Sequence, residues 1–112
     1  MAITAANVTT AGNIVYTSSG NTVVTYLSLC NYSNASVNIN IYVVPNSGGS
    51  VGTASNNNIA IASLELVSNA TSAGDTYQFY VGNEKLVLSN NDTIQVTSNA
   101  NTVTAITSYT SA

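Results

Sequence analysis

Residues 22–45 read TVVTYLSLCNYSNASVNINIYVVP, and the fold is decided here. In the second half Val37, Ile39, Ile41 and Val43 alternate with Asn38, Asn40 and Tyr42. Successive side chains of an extended strand point to opposite faces, so a period of two marks a strand with one buried face. The first half is β-branched and apolar, with Val23, Leu27 and Leu29 on one parity. Between them, Cys30 to Ser36 contains two Asn and two Ser, which favour turns. The stretch reads as a long β-hairpin whose apolar face needs a second layer.

Outward from it, the same signals repeat. Asn13 to Thr17 is a short strand, followed by a turn through Gly20. Pro45 ends the second strand, since proline donates no ladder hydrogen bond. Residues 46–58 (NSGGSVGTASNNN) form the longest loop and a candidate partner contact. Residues 59–67 read as one bent strand or two short ones broken at Ala62-Ser63, with Leu64 and Leu66 inward. Thr76 to Val81 is aromatic and β-prone. Lys85 to Ser98 holds two strands around a turn at 89–92, and Thr102 to Tyr109 is the last. No helical spacing persists.

The expectation is an all-β protein: a two-sheet antiparallel β-sandwich of seven to eight short strands. Periodicity does not give strand order, so immunoglobulin-like and jelly-roll topologies both fit. The chain divides into a flexible N-terminal arm over 1–12, or an edge segment there, and a single sandwich domain over 13–112. A length of 112 residues suits one domain with one core.

Charge is the unusual feature. The chain has one Lys, four acids, no Arg and no His, for a net charge of −3. Charged residues are 4% of the chain, against about 25% in ordinary domains. Asn, Ser and Thr do the solvating instead. One reading is a monomer whose composition has drifted. The sharper one is a subunit that lives packed in an assembly, since little charge favours association. Phosphate neutralisation needs Lys and Arg, so nucleic acid is not an expected partner. No apolar run is long enough for a membrane helix, and no membrane partner is expected. The start, MAITAANVTT, lacks the basic and apolar regions of a secretory signal, which reads as use without export.

Catalytic chemistry has few carriers. Without His there is no imidazole base, and Cys30 has no neighbour type to activate it. It reads as a small, partly buried apolar residue. Asp75 and Asp92 sit in GDT and NDT turns, where aspartate usually bonds its own backbone; calcium binding or carboxylate catalysis is the alternative. No catalytic residue, metal ligand or cofactor is expected. The Asn-x-Ser/Thr triplets at Asn7, Asn31, Asn34, Asn69 and Asn91 are what an Asn- and Thr-rich chain produces by chance. Tyrosine is the remaining signal. Tyr26, Tyr32, Tyr42, Tyr77 and Tyr80 are the candidate interface residues, because Tyr buries area while keeping a polar tip. Cross-strand packing of surface tyrosines is the plainer alternative.

The succession IVYT, VVTYLSLCNYS, an alternating strand, LVLSNNDTIQVTS and a closing TSY resembles small tailed-bacteriophage virion proteins. The resemblance runs from Ile14 to Tyr109. The chain departs from the pattern at Ser18-Ser19-Gly20, where Pro-Ala-Gly is usual, at Asn91 before the turn Asp, and after Tyr109, where no acid follows. The resemblance implies a non-enzymatic capsid decoration (cement) protein, or a neck or tail accessory protein. Its partners would be other virion proteins and further copies of itself, and its location the virion, assembled in the host cytoplasm. A glycan- or cell-surface-binding sandwich module is the alternative, with the tyrosine face taking the sugar.

Overall fold

A computed structural model describes residues 2–33, 35–66, 76–79 and 86–112. Their regular structure is entirely strand: β1 (Ala2–Val8), β2 (Asn13–Thr17), β3 (Thr22–Asn31), β4 (Val37–Val44), β5 (Ile59–Leu66), β6 (Thr76–Phe79), β7 (Leu86–Leu88), β8 (Thr93–Ser98) and β9 (Val103–Ser111). One sheet has the order β1-β9-β3-β6, with β7 also on β3; the other has the order β2-β8-β4-β5. Every pairing is antiparallel. The expected two-sheet sandwich is present.

The strand order selects between the two topologies. β7 pairs with Thr22–Val24 and β6 with Leu27–Cys30, so the two share one flank of β3 and together fill one strand position. Eight positions result. Their pairings nest: first with last (β1–β9), second with seventh (β2–β8), third with sixth (β3–β6/β7) and fourth with fifth (β4–β5). That nesting is a jelly roll rather than an immunoglobulin-like sandwich.

It also corrects the reading of residues 22–45. β3 and β4 do not pair with each other; they lie in different sheets. The segment is an arch across the sandwich, not a hairpin. A hairpin and an arch bury the same alternate side chains, so the apolar pattern does not separate them. The corner is held by Asn31, which is fully buried. Its Nδ2 donates to the carbonyls of Leu66 (3.0 Å) and Ala35 (2.9 Å), and its Oδ1 accepts from the Ser33 N–H (3.1 Å) and hydroxyl (2.8 Å). A buried amide is tolerated because its donors and acceptor are used.

Of the two expectations for the N-terminal segment, a flexible arm or an edge segment, residues 2–8 take the second. Residues 2–8 form the edge strand β1, in unbroken register from Ala2↔Tyr109 to Val8↔Val103. Val8 faces inward and is fully buried. This apolar anchor lies in a small-residue segment whose composition hides it.

The core between the sheets includes Val8, Val15, Tyr16, Val24, Leu27, Leu29, Val37, Ile39, Ile41, Leu66, Leu88, Ile94, Val96, Val103 and Ala105. Val23, expected inward, is not among the buried residues; Val24 is. The register slips between Val24 and Tyr26, so Thr25 is an extra residue that reverses the parity of the strand. Residues 59–66 are one strand with an irregularity opposite Asn40, whose Oδ1 accepts from the Ser63 N–H at 2.8 Å. Ser63 takes a φ of 54° there, which is the break expected at Ala62-Ser63.

Candidate functional site

Of the tyrosines singled out from the sequence, Tyr26, Tyr32 and Tyr42 do not converge. Tyr26 lies on β3, opposite Ser108 in the register, and is half-buried. Tyr42 lies on β4 in the other sheet, opposite Gln95. Because it alternates with the inward-facing Ile41 and Val43, it belongs to the outer face of that sheet. The two residues therefore sit on opposite sides of the sandwich. Tyr32 is at the end of the molecule, 50% exposed, and its hydroxyl contacts Asn7 Oδ1 (3.0 Å) and the Asn101 carbonyl (3.2 Å). It belongs to a loop junction in which the Thr10 N–H also donates to Asn101 Oδ1 (2.9 Å). Tyr77 pairs in register with Leu29, and Tyr80 lies outside the described residues. Tyr26, Tyr32 and Tyr42 do not share one face.

Sequence reasoning passed over the tyrosines that do meet. Tyr16 on β2 and Tyr109 on β9 stack across the two sheets, ring centroids 4.6 Å apart and planes tilted by 42°. Tyr16 is buried, and its hydroxyl donates to Thr22 Oγ1 at 2.9 Å. Ser18 Oγ is 2.8 Å from the same Thr22 oxygen and donates to the Gly20 carbonyl (2.8 Å). The cause is a bulge that composition does not reveal: Val15 is extra in the register, so Ile14 faces out and Tyr16 faces in.

The densest polar constellation is at the opposite end of the molecule from Tyr32, around Asp92. Its Oδ1 accepts from the Asn46 N–H (2.8 Å) and side-chain amide (3.0 Å), and its Oδ2 accepts from the Ser89 N–H (2.8 Å). Burial opposes ionisation of this carboxyl. The N–H groups of Asn46 and Ser89 and the Asn46 amide outweigh it and hold Asp92 below its ordinary value of 3.8. Around it, the Gly20 N–H donates to Asn90 Oδ1 (2.8 Å), and Ser18 exchanges backbone bonds with Asn91 and Asp92 (2.9 Å each). The carboxylate thus ties loop 45–58 to turn 89–92, and loop 18–21 joins the same turn through Asn90 and the backbone of Asn91 and Asp92. Asp92 does bond the backbone of its own turn, as expected, and also reaches across to a second loop.

The long loop is consequently organised. Ser47 and Ser50 bridge around Gly48 and Gly49. The Gln95 amide donates to the Gly52 carbonyl (3.2 Å), and Gly52 lies so close to Val44 and the Pro45 carbonyl that a Cβ there would collide with backbone. Val44 is buried beneath it, outside the main core cluster.

Chemically, this end offers hydrogen bonds between neutral groups and one saturated carboxylate. Among the described residues, no three His, Cys, Asp or Glu side chains cluster in a way that could hold a metal. Cys30 is half-buried on β3, opposite Thr104 and Thr76 in the register. Glu65 is exposed on β5. Asp75 and Glu84 lie outside the described residues. A scan against models of protein families finds no match, and a search of curated proteins finds none that is significant.

Proposed function

We propose that the chain is a non-enzymatic structural subunit of a bacteriophage virion, most simply a capsid decoration or cement protein that bridges neighbouring subunits. The observation that carries this reading is a jelly roll with almost no charge on it. The exposed positions of β1 and β9 are Ala, Ile, Asn and Ser, where a solitary domain would usually carry Lys and Glu. Removing such groups from water against a neighbour costs little desolvation compared with ions. The ordered sequence motifs that resemble phage virion proteins point the same way. Jelly rolls serve both capsids and lectins, so the architecture by itself does not choose between them. The glycan-binding alternative loses its platform when Tyr26 and Tyr42 fall on opposite sheets.

The test is to purify particles from the phage that encodes the chain, identify their proteins by mass spectrometry and locate the density by cryo-electron microscopy. The chain is expected in stoichiometric copy number on the particle surface. Its absence from washed particles would overturn the reading.

A further inference from the structure

Each sheet of an open sandwich has two edges, and an edge exposes unpaired backbone N–H and C=O groups to any passing strand. Three of the four edges here carry features that discourage pairing. β2 has five residues and a bulge at Val15. β5 carries Glu65 and two register irregularities. The flank beyond β3 is split between β6 and β7.

β1 has none of these. It has seven residues, AITAANV, in unbroken register with β9, without Pro, Gly or charge. Among the described residues nothing pairs with its outer edge. Every other residue of a strand directs its N–H and C=O away from the neighbour it already has. Ile3 beside that edge is 73% exposed.

From this contrast we propose that a second copy of the chain docks on the β1 edge, β1 pairing antiparallel with β1 across a twofold axis. The two sheets then run on as one. Self-pairing is favoured by charge: at a twofold every ionised group near the axis meets its own like copy, and residues 2–33 and 93–112 contain no Asp, Glu, Lys, Arg or His. The register that uses the whole strand puts Ala5 opposite Ala5 of the other copy and Ile3 opposite Asn7. Ala5 pairs with Ile106 within the molecule, and Ile106 is 41% exposed. The outer row becomes Ile106–Ala5–Ala5–Ile106, a continuous apolar band across the axis. This deepens the assembly reading above by naming the contact between copies.

The test is sedimentation of the purified full chain over a concentration series. A dimer is expected for the wild type. In an Ile3→Lys/Ala5→Lys double variant, like charges face each other at the axis, and the dissociation constant should rise on the order of tenfold or more. A second variant guards against misfolding: Ala5→Cys in a Cys30→Ser background should form a covalent dimer on mild oxidation, whereas Ala60→Cys on β5 should not. A monomer at every concentration, or a dimer indifferent to the lysines and not trapped through Ala5, overturns the proposal. A dimer absent from phage particles would overturn the virion reading and leave the β1 contact standing.

Discussion

Thr107 is fully buried on β9, and its hydroxyl has no hydrogen-bond partner among the described residues. Leaving such a group dry costs on the order of 1–3 kcal/mol. Thr107→Val keeps the shape and removes the orphan, so it should raise unfolding stability by about 1 kcal/mol in urea titration. A loss of stability would mean the hydroxyl has a partner after all. Asp92 behaves oppositely, because its oxygens are occupied. Its carboxyl titrates lower when folded, so its contribution is complete above the unfolded value of 3.8 and is lost as pH falls through the lower folded value. Asp92→Ala should therefore destabilise the protein at neutral pH, by about 1–3 kcal/mol. The gap between wild type and variant should begin to narrow as pH falls below 3.8 and be lost as pH passes the lower folded value, read by thermal melts across pH. A gap independent of pH would remove the carboxylate from its role as the tie between loops.

At the level of elements, bulges and one glycine do most of the shaping. The extra residues at Val15 and Thr25 turn Tyr16 and Val24 inward. In the long loop, a Cβ on Gly52 would strike the Pro45 carbonyl and press on Val44. Gly52→Ala should cost about 1–3 kcal/mol by forcing the loop off Val44. Gly48→Ala, with open space around it but a φ of 59°, should cost less, about 1 kcal/mol. Equal effects in chemical denaturation would show that the packed loop is not what Gly52 supports. Strand existence was legible from alternation in β4 and from β-branched runs in β3 and β8. Parity after a bulge was not, because one inserted residue inverts every later position without disturbing the composition.

For the molecule as a whole, β1 matters beyond its length. It covers one flank of β9 and contributes the buried Val8. Deleting residues 1–8 should lower the thermal midpoint and expose the β9 edge, giving aggregation on size-exclusion chromatography. An arm without structural role would leave both unchanged. The tyrosine cluster shows how a site can be misread at this scale. Tyr26 and Tyr42 are close in sequence and alike in parity, and a hairpin would have set them on one face. The arch sets them apart, while Tyr16 and Tyr109, at opposite ends of the chain, stack.

The sequence alone determined the strands, most inward faces and the scarcity of charge, since each depends on a residue and its near neighbours. Which strands pair, where the chain crosses between sheets, and which edge is left open were decided only in three dimensions. Alternation says which side of a strand avoids water, and a partner in the same sheet or in the facing one satisfies that demand equally.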